Sequence, residues 1–357
     1  MGGRPPRQDH ECFLDSHPTG SQLCRPSPPC TRAATTGSPL TKLTDAIHVR
    51  LALLPWLGLP GLTFVLGVVS ALLFAPTVRA RWFGGLLLLV YLGMSWASFV
   101  AQPGGLPETF PKIALVQTGW SQEEKWKHSN IVAAKLRLLA LTDQARRRGA
   151  ELVVWPETAW PENSLLLDPG DMTVISDLAR RMGVKILASS LEKGPSGWSN
   201  SVSLVEPESG FVAQYRKRRL IPIQEYLPLP GLLDKMVRGH GLARSSCHYR
   251  AGEKAAIWEV GGSRYVLAIC YESTVPWLVT SLKGDIDFVV IVTNGATLRS
   301  EFAKEAHFRS AILRAAQIRK PVLQASNDGV TGVIDGRGCV LRRLPPDFRG
   351  PDILMAQ

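Results

Sequence analysis

A layered α/β domain carried behind two transmembrane helices is the architecture this sequence predicts, and three observations predict it. Two charge-free apolar runs, Leu51 to Ala75 and Trp82 to Val100, lie close together in the first third of the chain. Each is long enough to cross a hydrocarbon core of about 30 Å at ~1.5 Å per residue. Beyond Pro103-Gly104-Gly105, short apolar runs alternate with segments of helical periodicity, as they do where sheets are covered by helices.

Taken in order, residues 1–45 are rich in Pro, Ser, Thr, Gly and Arg and show no periodicity. Such a segment buries too little apolar surface to offset its ordering entropy, so a disordered tail is expected there, without the features of a cleaved secretory signal. Residues 46–102 are expected to form the membrane region. Its first run is interrupted by Pro55 and Pro60, and Trp56, Trp82 and Trp96 sit near the run ends, where indole rings favour the membrane interface. Arg79 and Arg81 in the connecting loop argue for a cytoplasmic loop and an external domain, but Lys42, Arg50 and Lys112 lie near the opposite face, so charge alone does not fix orientation.

Residues 103–357 are expected to form a single α/β domain. Strands are predicted at Lys112 to Gln117, Glu151 to Trp155, Val184 to Ala188, Val266 to Ile269, Phe288 to Val292 and Pro321 to Ala325. Helices are predicted at Ser129 to Arg148, about Met172 to Met182, and Glu301 to Arg319.

The charge balance, 41 Lys+Arg against 30 Asp+Glu for a net +11, attracts phosphates of either nucleic acid or lipid headgroups. The cations are scattered and no nucleic-acid motif occurs, so the membrane is the expected partner and nucleic acid is not. The six cysteines, Cys12, Cys24, Cys30, Cys247, Cys270 and Cys339, include no C-x-x-C pair. Neither a metal site nor a cofactor is called for.

Three segments put reactive side chains directly after apolar strands, where α/β sheets present catalytic groups. Glu157 closes Val153-Val154-Trp155-Pro156-Glu157-Thr158, a carboxylate beside an apolar wall suited to base duty. Lys217 lies in the cationic run Arg216-Lys217-Arg218-Arg219; such a run is ordinarily solvated, but a lysine turned inward and held by Glu225 would stabilise an oxyanion. Cys270 ends Leu267-Ala268-Ile269-Cys270-Tyr271-Glu272, where a thiol is either inert and buried or a nucleophile. Together the three supply nucleophile, base and electrostatic stabiliser. Two further patterns lack a supporting context. Ser190-Leu191-Glu192-Lys193 has the spacing of a serine–lysine pair without a helix to align it, and of His240, His248 and His307 the last is expected to be a structural contact.

From about Pro111 to Val340 these segments resemble the nitrilase, or carbon–nitrogen hydrolase, superfamily, and within it the bacterial apolipoprotein N-acyltransferases. The resemblance rests on Trp155-Pro156-Glu157-Thr158, on Tyr215-x-Lys217 through Glu225-Tyr226-Leu227-Pro228, on Ile269-Cys270-Tyr271-Glu272, and on Thr293-Asn294, His307, Arg314-Ala315 and Ala325-Ser326-Asn327-Asp328-Gly329-Val330 in order. It implies a four-layer α-β-β-α sandwich with Cys270 as nucleophile, Glu157 as base and Lys217 as oxyanion stabiliser. Glu225, Tyr271 through its backbone N–H, and Glu272 are implied in support. It also implies a phospholipid acyl donor, a lipoprotein acceptor and a site on the periplasmic side of the inner membrane.

This chain departs from the pattern in showing two apolar spans where members have several before the domain and one after it. Gly295-Ala296-Thr297 replaces an aromatic pair, and Gln317 replaces a common glutamate. A nitrilase-like amidase and a non-catalytic TraB-like conjugation or membrane protein are the alternative readings.

Overall fold

The computed structural model describes residues 53–161, 169–194, 197–228, 249–298, 300–344 and 350–357. The expected tail 1–45, with Cys12, Cys24 and Cys30, lies outside the described residues, as do Cys247, His240 and His248.

Two helices open the described chain, α1 (Leu54–Leu73) and α2 (Val78–Ala101), both long and apolar enough to cross a membrane. Gly58 and Pro60 mark a kink in α1, with Gly58 at φ 61°. The Arg81 guanidinium donates to the Ala75 carbonyl (2.8 Å) and ties the loop between them. At Gly84 an added Cβ would meet Leu72 Cβ at 2.8 Å, so glycine is what lets the two helices approach closely.

The remainder forms two six-stranded sheets. The first has the order β12-β1-β2-β3-β4-β5, built from β1 (Ile113–Gln117), β2 (Leu152–Val154), β3 (Lys185–Gly194), β4 (Gly197–Glu206), β5 (Gly210–Arg216) and β12 (Asp352–Met355). The second has the order β11-β10-β9-β8-β7-β6, from β6 (Ile257–Val260), β7 (Ser263–Ile269), β8 (Phe288–Thr293), β9 (Val322–Ser326), β10 (Gly332–Ile334) and β11 (Val340–Arg343). Each has a parallel centre, β1-β2-β3 and β7-β8-β9, with antiparallel flanks.

Side-chain alternation turns these sheets into layers. Ile113, Leu115, Leu152 and Val154 of the first sheet and Leu267, Ile269, Val290 and Val292 of the second share one core between the sheets. The intervening residues face outward, Ala114, Val116 and Val153 onto α4 (Ile131–Arg147) and α5 (Pro169–Met182), and Val266, Val289 and Ile291 onto α7 (Glu301–Ile318). Helix, sheet, sheet and helix follow in order, the expected α-β-β-α sandwich. The shorter helices α3 (Gln122–Lys125) and α6 (Trp277–Thr280) flank the loops. On its remaining side α7 contributes Ala316, Ile312 and Leu313 to a cluster with Leu54 and Leu62 of α1 and Tyr91 of α2, docking the helix pair on the domain.

Candidate active site

Glu157 stands three residues past β2, in a turn with few ways to move. Thr158 adopts a left-handed φ of 49°, its N–H donates to Ser189 Oγ (2.9 Å), and Trp160 N–H donates to the Ser189 carbonyl (3.0 Å). The neighbouring Trp155 and Trp160 rings stack at 5.7 Å. The Glu157 carboxylate is buried, accepting from Asn200 Nδ2 on Oε1 (2.6 Å) and from the Asn294 N–H on Oε2 (2.8 Å).

Lys217 follows β5 directly and is fully buried. Its Nζ lies 2.7 Å from Glu225 Oε1 and 3.8 Å from Glu157 Oε1. Burial works against its charge, yet Glu157, Cys270 and Glu225 outweigh that cost and hold its pKa above the ordinary lysine value. The cationic run therefore divides by direction. Arg216 pairs with Glu192 outside, Arg218 reaches the Leu278 carbonyl, Arg219 lies over the Trp277 ring, and Lys217 alone points into the fold.

Cys270 closes β7 with a left-handed φ of 49°, a strained elbow that lifts the thiol out of the ladder. Its side chain shares one cavity with the Glu157 carboxylate. Burial first, and Glu157 second, push the thiol up to about 12, while Lys217 and Thr293 pull against them. The resting group is thus a neutral thiol facing a carboxylate. Glu272 holds the elbow in place: Oε2 accepts from Ile269 N–H (2.7 Å) and Tyr215 Oη (2.8 Å), and Oε1 accepts from Arg218 N–H (2.7 Å) and Arg219 N–H (3.0 Å). One carboxylate so joins the nucleophile's strand to the lysine's strand, across the two sheets. Glu225 does the same for its own loop, accepting Ile221 N–H on Oε2 (2.7 Å).

A cavity of about 250 Å³ opens on Cys270 and is lined by Glu157, Glu225, Asn200, Asn294 and Trp126 among others. A larger one of about 600 Å³ shares Tyr249 with it and carries the Tyr271, Tyr226 and Trp277 rings. Tyr271 thus presents its side chain to the outer cavity. His307 sits 3.5 Å from Ser273 Oγ, beside the elbow, with its pKa lowered by burial. Ser190 and Lys193 lie on β3, three residues apart along a strand and hence on opposite faces.

Sequence reasoning missed Asn200 and Lys125. Lys125 is buried, donates to Thr158 Oγ1 (2.5 Å) and the Glu157 carbonyl (3.2 Å), and has its pKa lowered to about 7 by burial. Within Glu123-Glu124-Lys125-Trp126-Lys127 nothing sets it apart from a solvated helix start. Gly295, noted as a departure, packs backbone to backbone: a Cβ there would run into the Asp328 carbonyl, and Thr297 lines the cavity instead of an aromatic ring.

An α-β-β-α sandwich that sets a thiol and a carboxylate on one cavity, with a buried ammonium group 3.8 Å from the carboxylate, is an arrangement suited to thiol chemistry on acyl groups. The family model described as carbon-nitrogen hydrolase matches residues 112–356, and the chain belongs to that family. Among curated relatives it is 26% identical to the apolipoprotein N-acyltransferase of Photobacterium profundum over 304 residues, covering 82% of this chain and 58% of the relative. It is 31% identical to that of Azotobacter vinelandii over 303 residues, covering 80% and 56%. The chain therefore spans little more than half the length of these relatives. Among solved structures it resembles an amidase from Nesterenkonia sp. AN1, with a TM-score of 0.51 and 17% identity over 69% of this chain and 92% of that one. A mutant of that amidase bearing an acetamide moiety on its active-site cysteine gives a TM-score of 0.52, at 18% identity over 71% and 92%. These structures bear on the fold.

Proposed function

We propose that this chain is a membrane-anchored thiol acyltransferase that takes an acyl group from a phospholipid onto Cys270 and passes it to an amine, the N-terminus of a lipoprotein. In this reading residues 46–102 anchor the protein in the bacterial inner membrane and residues 103–357 work on the periplasmic side. The observation that carries the reading is that Cys270 and Glu157 line one cavity while Lys217, charged and buried, lies 3.8 Å from the same carboxylate. Two helices of membrane-spanning length beside that domain supply access to a lipid donor.

The chemistry follows from the geometry. Glu157 accepts the thiol proton as sulfur attacks the ester carbonyl carbon, and the charge formed on oxygen is met by the Lys217 ammonium and the Tyr271 N–H. Collapse expels the lysophospholipid alkoxide, which takes the proton back from Glu157, and leaves a thioester on Cys270. An amine then attacks, gives its proton to Glu157, and the returning thiolate recovers that proton.

Incubation of the purified protein with labelled phospholipid and a diacylated lipopeptide tests this. N-acylated peptide is expected, together with an acyl adduct on Cys270 by mass spectrometry. Free acid alone would select the amidase-like reading with water as acceptor. Full complementation of a deletion by Cys270→Ala would defeat both in favour of a non-catalytic role.

A further inference from the structure

Where the helix pair meets the domain lies another cavity, of about 810 Å³, which shares no lining residue with the one at Cys270. Its walls include Trp56 of α1, Ser98 of α2, Gln102, Asp287, Arg319 and Lys320. Arg319 ends α7 in the left-handed conformation, φ 57°, a position that glycine or asparagine ordinarily fills. An arginine there accepts backbone strain, and what it gains is the direction of its side chain. The guanidinium lies 3.9 Å from the Trp56 ring centre and donates to Ser98 Oγ (3.1 Å), while its Nε is buried without a partner among the described residues. Lys320 follows it into the same wall. Asp287 is the one carboxylate lining the cavity, and it already accepts the Arg264 N–H (2.8 Å).

Beside this cationic cavity lies an apolar one with no lining residue in common. A groove of about 290 Å³ between α1 and α2 is lined by Leu57, Phe64, Val65, Val68, Leu87 and Met94, among other apolar side chains and Tyr91. Leu57 adjoins Trp56, and Met94 is about one helical turn from Ser98. A molecule with an anionic head and an aliphatic chain reaching from one to the other would match both parts, and Trp56, next to Leu57, is the residue type that marks the level of lipid headgroups.

We infer that this junction holds a glycerophospholipid as a resident ligand, its phosphodiester against Arg319 and Lys320 and one acyl chain along the α1–α2 groove. The inference rests on the membrane-anchoring reading and not on the chemistry at Cys270. The site would set the height of the domain above the bilayer, and its lipid is not the acyl donor.

The test uses the full chain extracted from membranes in mild detergent, with bound lipid read by native mass spectrometry and phosphorus assay. Wild type should retain a stoichiometric phospholipid. Arg319→Gly with Lys320→Gln, which removes both cations and relieves the strained backbone, should lower retention roughly tenfold or more, given the worth of two cations at a lipid surface, without loss of the Cys270 thioester. Exchange with phosphatidylglycerol vesicles should refill the wild-type site. Equal refilling by diacylglycerol, or occupation by inorganic phosphate alone, overturns the inference, as does unchanged retention in a variant with wild-type melting behaviour. If the protein fractionates away from the membrane altogether, the anchoring reading fails and this site with it; unchanged retention in a membrane-bound variant sinks the site alone.

Discussion

At the residue scale the thiol–carboxylate–ammonium cluster makes opposing demands on one titration. Glu157 raises the Cys270 pKa and Lys217 lowers it, so the two variants move the thiol in opposite directions. Glu157→Gln should lower the thiol pKa, read from the pH dependence of alkylation, and still slow acyl-enzyme formation by about 10²–10⁴-fold because the base is gone. Lys217→Met should raise the thiol pKa and slow the reaction by roughly 10²–10³-fold through loss of the oxyanion partner. A Glu157→Gln enzyme that kept its rate would mean that the carboxylate only shapes the field. Lys125 makes a separate prediction. Burial lowers its pKa to about 7, below that of an unfolded lysine near 10.4, so the unfolded chain binds more protons between those values. Its contribution to stability is complete above about pH 10 and is lost as pH falls toward 7; Lys125→Met should flatten that part of the profile of melting temperature against pH.

At the scale of elements, the strand ends are joined by carboxylates more than by loops. Glu272 holds four donors from β7, β5 and the residues after β5. Tyr215→Phe removes one neutral donor and should cost about 1 kcal/mol. Glu272→Ala strands several buried N–H groups and should cost about 3 kcal/mol or more, with loss of acyl transfer, by chemical denaturation and single-turnover assay. If the two variants proved equally mild, the elbow would be held by its own backbone. In the helix pair, Gly84→Leu places side-chain atoms where Leu72 already stands, and overpacking of this kind costs about 1–3 kcal/mol. Lower thermal stability in detergent is the expected reading.

At the scale of the whole molecule, the question is which side of a membrane the sandwich faces. The proposed arrangement puts Arg79 in the cytoplasm and the exposed Lys254 outside. A cysteine at Arg79 should react with an impermeant maleimide only after lysis, and one at Lys254 in intact spheroplasts. The reverse pattern would place Cys270 in the cytoplasm and remove the lipoprotein from the reading, while leaving its thiol chemistry in place.

The sequence by itself determined the parts whose signal is local. The uncharged runs gave α1 and α2, and the buried parallel strands β1, β2, β7, β8 and β9 read as continuous apolar runs because both their faces are covered. Glu157 and Cys270 stood out because each follows or closes such a segment, and Lys217 because its cationic run stands near Glu225. Tertiary structure decided the rest. The flanking strands β4, β5, β6, β10, β11 and β12 are short, partly polar or solvated, and acquire their conformation from neighbours, as β12 does by pairing antiparallel with β1 across more than two hundred residues of chain. Lys125 and Asn200 face the site for a reason no local pattern encodes: a buried polar group is tolerated only where partners distant in sequence satisfy it, and Thr158 and Glu157 become those partners once the sheets have closed.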